Sequence, residues 1–401
     1  MLAALVLLSA LPLKGIVFWS DAAAERPELG DAISLEFAYM RPDDVAKAPG
    51  VYDWASVEKV LGRAKGRSHQ AILRFRYVYP GERTKGGTRG GTAVPAFIKA
   101  SEGYKETFAE NPNDDGPTWY ADWSCAALED FTLGFFREFA ARYDRDPRLA
   151  FLEVGFGHWA EYHTCGTKTV PGRNFPTKEF QAKFMREMER LFSATPVMVS
   201  VDAHNEAFSP LASDPSLCAL SFGLFDDSFM HARHEISQGG GHNERCWRKF
   251  GLDRWQRAPC GGEISYYSRR DQREFLNPAG LYGVTWREAA AKYHMTFVIA
   301  NDATEGRFAT ASRLSEAARE CGWSFKLVSD ETSGGVRRLK VKNDGVAPAY
   351  HDMRVRVGDA TSQTSLKGLL PGETAVITLP AGEGRPSIVS EKFLPGVSVE
   401  L

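Results

Sequence analysis

Two stretches of the sequence place a glutamate just beyond an apolar run. Ala150 to Thr164, AFLEVGFGHWAEYHT, begins apolar, loosens at Gly155 and Gly157, and ends in Trp159, Glu161, Tyr162 and His163. Pro259 to Ser268, PCGGEISYYS, has the same shape and carries Glu263 near its end. Two carboxyl groups held face to face can divide labour. One keeps its proton and gives it to a departing oxygen, while the other is ionised and attacks carbon. Readings without chemistry stand beside this one. Glu161 can be a loop carboxylate bonded to backbone amides, and Glu263 can be an ion-pair partner of Arg74 or Arg76. Glu153, inside the first apolar run, reads as an inward-facing partner of an arginine.

Positioning such a pair requires a scaffold, and the hydrophobic pattern supplies one. Short apolar runs recur at Gly15–Asp21, Ile33–Met40, Gln70–Val78, Ala150–Gly157, Val197–Asp202, Cys218–Asp227, Pro259–Tyr267 and Thr296–Asp302. Amphipathic stretches of helical period lie between most of them, at Tyr52–Arg67, Cys125–Tyr143, Thr177–Phe192, Arg245–Trp255, Thr285–Lys292 and Ala309–Cys321. Alternation of this kind calls for parallel strands, because each return needs a crossover. Eight such units predict an α/β fold of the (β/α)8 TIM barrel type. No G-x-G-x-x-G follows the first strand, which argues against an open dinucleotide-binding sheet. After Gly322 no good helix remains. Strands at Phe325–Ser329, Val336–Asn343, Met353–Val357, Thr374–Leu379 and Ser387–Ser390 alternate with turns and predict a small C-terminal antiparallel β-sandwich. The expected division is a barrel over residues 14–322 and a β-sandwich over 323–401.

In such barrels the chemistry sits at the C-terminal ends of the strands. The polar and aromatic residues expected there as substrate contacts are Trp19, Arg76, Tyr77, Trp159, His163, Asp202, His204, Asp226, Asp227, Tyr266, Asn301 and Asp302. Glu161 and Glu263 are about a hundred residues apart, close to three βα units, which places them on opposed strands four and seven. Carboxyls projecting inward from those strands can approach to about 5 Å, the separation used in retaining glycoside hydrolysis. Arg74 and Arg76 share one face of the third strand, and Phe75 and Tyr77 the other.

On these residues the chain resembles clan A glycoside hydrolases, and more specifically bacterial barrel proteins of unknown function related to them. The segments that carry the resemblance are Gly157-His158-Trp159-Ala160-Glu161-Tyr162-His163, similar to a G-x-W-G-E-W-H-like segment after strand four, Gly261-Gly262-Glu263 after strand seven, and Leu73-Arg74-Phe75 on strand three. The resemblance implies Glu161 as acid/base and Glu263 as nucleophile on a poly- or oligosaccharide. One position departs from the clan pattern: Ala160 stands where an asparagine usually precedes the acid/base glutamate. That departure motivates a second reading, a glycan-binding barrel without catalysis. Arg74 and Arg76 motivate a third, a lyase acting on uronic-acid sugars.

Bulk composition narrows the partners. A net charge of −2 carries no nucleic-acid footprint. Nine Trp and thirteen Tyr suit stacking on sugar faces or filling a core. Met1 to Leu13 is apolar, about the length of a signal-peptide core and too short to span a membrane, which predicts a secreted or periplasmic protein. The six cysteines form no CxxC pair, and His231, His234, His242 and Cys246 match no metal motif, so neither metal nor other cofactor is expected. If disulfides form, Cys246 and Cys260 are a candidate pair; free buried thiols are the alternative.

Overall fold

The computed structural model describes residues 11–82, 87–204, 207–300 and 305–401, without the Ile236 side chain. Eight strands close into a barrel: β1 Gly15–Trp19, β2 Leu35–Met40, β3 Gln70–Phe75, β4 Leu149–Val154, β5 Val197–Ser200, β6 Gly223–Phe229, β7 Cys260–Ile264 and β8 Phe297–Ile299. Every neighbouring pair is parallel, and β1 pairs with β8 to complete the ring. Six of the eight expected runs contain their strand, shortened at one or both ends; β4 begins one residue before its run, at Leu149, and β6 continues two residues past its run, to Phe229. The final residues of several runs turn out of the ladder to serve the rim. Asn301 and Asp302 lie outside the described residues.

Alternation along the strands decides which residues fill the barrel. Val17, Phe37, Ile72, Phe151, Met198, Phe225, Phe297 and Ile299 form one buried apolar cluster inside. Glycine makes room for it, since a Cβ on Gly261 would lie 2.3 Å from the Phe297 ring. The opposite faces pack on helices. Phe75 points outward, with its ring 4.9 Å from that of Phe135 and 5.2 Å from that of Phe139 on α2 (Ala126–Tyr143), after α1 (Ala55–Gly66). The Phe131, Phe135, Phe139 stripe of α2 is therefore core, as its helical spacing predicts. In α3 (Lys178–Leu191) Thr177 caps the helix by accepting from the Phe180 N–H. α4 (His242–Phe250), α5 (Trp286–Tyr293) and α6 (Ala311–Arg319) complete the outer layer, and α5 opens with a capping box of Thr285 and Glu288.

The C-terminal segment forms two antiparallel sheets. One has three strands, β9 Phe325–Ser333, β10 Val336–Asn343 and β13 Thr374–Pro380. The other has four, β11 Arg354–Val357, β12 Ala360–Ser365, β14 Ser387–Val389 and β15 Val399–Glu400. β12 and β15 carry no clean apolar alternation, which is why the sequence pattern missed them. Leu339, Val341, Val355, Ile377 and Ile388 join the cluster that fills the barrel interior. These sheets close the N-terminal end of the barrel through specific bonds. Lys14 Nζ donates to the Trp323 carbonyl (2.8 Å), and His351 Nε2 lies 3.0 Å from the Ala150 carbonyl. Lys392 Nζ donates to the carbonyls of Asp144 (3.1 Å) and Asp146 (2.7 Å) and to Thr195 Oγ1 (2.8 Å). Leu13, the end of the N-terminal apolar run, is buried in the same cluster.

All six cysteines are free, so of the two readings the free-thiol one holds and the candidate Cys246–Cys260 bridge does not form. Both thiols are buried as small apolar groups, one on α4 and one on β7. No described helix is long and apolar enough to cross a membrane.

Candidate active site

A charged layer lies above the apolar filling, and Arg74 is its hub. Arg74 sits two residues above Ile72 on the inner face of β3 and is fully buried. Its Nη2 lies 2.6 Å from Glu153 Oε2 and 2.7 Å from Glu263 Oε1. Its Nε donates to Glu153 Oε2 at 2.7 Å. The Phe225 ring lies 4.2 Å beneath the guanidinium. Glu153 and Glu263 occupy the same inward level on β4 and β7, so one arginine faces two carboxyl groups. Burial, more than Glu263, pushes the Glu153 carboxyl up to about 7. The sequence reading of Glu153 as an arginine partner matches this geometry.

Glu263 is gripped from both sides. Arg74 meets Oε1, and the Tyr266 hydroxyl donates to Oε2 at 2.5 Å. Crowding of its hydroxyl inside the mouth and the neighbouring Glu263 charge raise the Tyr266 phenol well above its ordinary range, although half of the residue is exposed, so its proton stays available to this bond. The two glycines before Glu263 have packing reasons. Gly261 yields its space to Phe297, and a Cβ on Gly262 would lie 2.6 Å from the Asp226 carbonyl.

Glu161 reaches the mouth by a different device. After β4 the chain folds back on itself: Gly157 N–H donates to the Glu161 carbonyl (2.9 Å) and His158 N–H to the His163 carbonyl (2.9 Å). This close return requires glycine, because a Cβ on Gly155 would lie 1.7 Å from the Ala160 oxygen and one on Gly157 1.9 Å from the His163 oxygen. Trp159 and Ala160, at the tip, both take left-handed backbone (φ 54° and 62°). Each costs about 1–2 kcal/mol, strain of the kind found where backbone is held for function. Arg74 Nη1 donates to the Trp159 carbonyl (3.4 Å), tying this turn to the guanidinium that holds Glu263.

The electrostatics of the two glutamates differ. Burial and the negative charge of Asp227 push the Glu161 carboxyl well above the ordinary carboxylate range. His163 Nδ1 is 3.6 Å from Glu161 and 2.7 Å from Asp202. Asp202 also accepts from the Tyr162 N–H, and it holds the imidazole of His163 in its charged form against the opposing effect of burial. Among the described residues, Glu161, His163 and Asp202 are the one group whose ligand atoms could hold a metal ion, all within 4.8 Å of one another. In this structure His163 Nδ1 faces both carboxylates, which makes the trio an ion-pair network.

The other expected contacts divide by strand face. Trp19, Trp159, His163, Asp202, Asp227 and Tyr266 surround the mouth; the Trp19 ring lies 5.2 Å from that of Tyr39. Arg76 lies above Arg74 on the same face, with its guanidinium 3.9 Å from the Tyr39 ring and 4.7 Å from the Trp159 ring. Tyr77 does not join them. It points outward, bonds Thr132 Oγ1 on α2 (2.8 Å) and packs on Trp123, because period-two alternation sets it opposite Arg76. Asp226 also faces outward and accepts from Asn243 Nδ2 (2.5 Å) and Trp247 Nε1 (3.2 Å) on α4. His204 turns to the Phe250 ring at 5.0 Å. Tyr120 and Trp123, in the long segment between β3 and α2, are buried against the barrel.

The sequence reading missed Tyr39 and Tyr267. Tyr39 accepts from Arg74 Nη1 (3.3 Å) and feels the charges of both Glu161 and Glu263. It was legible as the third inward residue after Leu35 and Phe37. Tyr267 stacks on His231 at 4.5 Å and is largely exposed at the rim. No periodicity marks it, since it lies past the strand.

No protein-family model matches the sequence, and none of the curated proteins does. Among solved structures, the chain is similar in path to endo-glycoceramidase II from Rhodococcus sp. as its lactosyl-enzyme intermediate, at 14% identity and a TM-score of 0.48, over 93% of this chain and 98% of that one. The same enzyme with a cellobiose-like imidazole matches at 13% identity and a TM-score of 0.47 over the same shares. A gamma-cyclodextrin glycosyltransferase from alkalophilic Bacillus clarkii matches at 8% identity and a TM-score of 0.38, over 92% of this chain and 65% of that one.

Proposed function

We propose that this chain is a retaining glycoside hydrolase acting on a poly- or oligosaccharide, exported from the cell by its apolar N-terminus. The observation that carries the proposal is the unequal treatment of two glutamates around one arginine. Glu161 is buried beside Asp227, which favours its protonated form and suits it to donate to a leaving glycosidic oxygen. Glu263 is oriented by Arg74 and Tyr266, which suits it to attack the anomeric carbon. In the first step the Glu263 oxygen bonds to the anomeric carbon as the glycosidic C–O bond breaks, and the Glu161 proton goes to the departing oxygen. In the second, Glu161 as carboxylate takes a proton from water, whose oxygen displaces Glu263. The aromatic rings of Trp19, Tyr39, Trp159 and Tyr267 offer faces for sugar rings.

The test is hydrolysis of a glycan panel by the wild type, Glu161→Gln and Glu263→Gln, with the anomer of the first product read by NMR. The reading expects cleavage with retention, lost in both variants. Cleavage that persists near the wild-type rate in both variants overturns it, and inverted product overturns the retaining mechanism.

A further inference from the structure

Arg76 is a buried cation whose hydrogen-bonding capacity is mostly unused. It is 3% exposed, yet among the described residues neither Nε nor Nη1 has a hydrogen-bond acceptor. A guanidinium has five N–H donors, and leaving them unpaired away from water is costly. Three rings surround it: Tyr39 at 3.9 Å, Tyr79 at 4.0 Å and Trp159 at 4.7 Å. Among the described residues, its one ion pair is Nη2 to one oxygen of Glu82 (2.5 Å), and the Glu82 side chain is 48% exposed. Arg74 one layer below also has a nitrogen, Nη2, without a hydrogen bond, but its two ion-pair partners, Glu153 and Glu263, are both buried. Glu82 can leave for solvent at little cost because half of it is already hydrated, whereas Arg76 cannot follow.

We infer that Arg76 is the recognition site for an oxyanion substituent of the sugar, a uronate carboxylate or a sulfate ester, and that Glu82 occupies this site until the substrate displaces it. The inference rests on the glycan reading of the mouth. Nη2 carries one N–H on each bidentate edge of the guanidinium, so a monodentate Glu82 occupies one of the two edges. Its departure opens a full fork to the incoming anion. The ring of Tyr39 is shared between Arg76 and Arg74, and the Trp159 ring against Arg76 belongs to the residue whose carbonyl Arg74 holds. An anion on Arg76 therefore seats its sugar beside Glu161 and Glu263.

The experiment measures binding by calorimetry to the Glu263→Gln protein, which leaves Arg76 and Glu82 intact. The probes are oligoglucuronates and oligogalacturonates, their carboxyl-reduced neutral counterparts, and sulfated neutral oligosaccharides. An anionic oligomer is expected to bind about tenfold or more tighter than its neutral counterpart. Adding Arg76→Lys should abolish that preference by removing the fork while keeping the charge. Glu82→Gln, at the exposed rim, should tighten anion binding several-fold by removing the competitor. Preference for uronates alone assigns carboxylate, and preference for the sulfated series alone assigns sulfate. Equal binding of anionic and neutral oligomers, or a preference that survives Arg76→Lys and ignores Glu82→Gln, overturns the inference. Neutral glycans cleaved by the wild type with anionic ones refused leaves the hydrolase standing and this inference fallen. Anion binding that follows Arg76 without cleavage of any glycan does the reverse, and no binding of any probe fells both.

Discussion

The two ends of the barrel bury charge in opposite ways. At the N-terminal end the ammonium groups of Lys14 and Lys392 are buried, and each reaches protein oxygens: Lys14 one carbonyl, Lys392 two carbonyls and a hydroxyl. Burial nevertheless lowers Lys14 to about 8 and Lys392 to about 7. At the C-terminal end three carboxyls and two guanidiniums crowd together. Among the described residues, Glu153 Oε1, Arg74 Nη2 and two nitrogens of Arg76 make no hydrogen bond there, and two consecutive residues before Glu161 hold left-handed backbone. The base uses buried charge to dock the C-terminal sheets onto the strand ends. The mouth holds charge and strain that its own residues do not relieve, the condition of a site arranged for something else to enter.

The sharpest test of this contrast is catalytic. On a substrate the wild type cleaves, Glu263→Gln should lower turnover by at least about 10⁴-fold with the fold intact by circular dichroism. Glu161→Gln should lose about 10²–10⁴-fold. The pH–rate profile should identify the acid: kcat/KM falls as pH rises through the raised Glu161 value, and a substrate with a good leaving group should escape much of that loss. A profile whose basic limb is unchanged in Glu161→Gln would remove Glu161 from the acid role.

Stability should separate the two ends next. Arg74→Met strands two buried carboxyls and is expected to cost about 3–5 kcal/mol by urea unfolding. Lys392→Met strands three uncharged oxygens and should cost about 1–3 kcal/mol. Equal costs would mean that the mouth is no more strained than the base.

The smallest effect is in the sign of pH dependence. Between about pH 4.5 and 7 the folded state holds the Glu153 proton while the unfolded chain has released it, so this group's stabilisation is lost as pH rises. Between about pH 7 and 10.5 the unfolded chain binds the Lys392 proton and the folded state does not, so stability rises with pH there. Glu153→Gln should flatten the first slope and Lys392→Met the second, each by a few degrees in melting temperature. Variants that change the opposite slope would exchange the two assignments.

Much of the fold was legible because its signals are local. The eight apolar runs, the phenylalanine stripe of α2 and the Thr177 cap each express a period or a spacing that backbone geometry reads directly. The site was legible to the level of strand ends. Glu161, Glu263, Trp159, Arg76 and Tyr266 lie at the mouth as expected because chain order put them there. Tyr77 and Asp226 went astray because a strand end has two faces and only alternation counted from a known inward residue tells them apart. Counting from Arg74 would have turned Tyr77 outward, and counting from Phe225 would have done the same for Asp226.

What the sequence determined by itself is the ring of strands, the helices around it and the two glutamates at strands four and seven. These follow from hydrophobic period and order along the chain. What the tertiary structure decided is which charges meet. That Arg74 takes both Glu153 and Glu263, that Asp227 rather than Asp226 faces Glu161, and that Arg76 is left with Glu82 depend on residues from different strands brought to one level of the barrel. Burial and Coulomb energy act through space, and the distances that set them exist only once the sheet has closed.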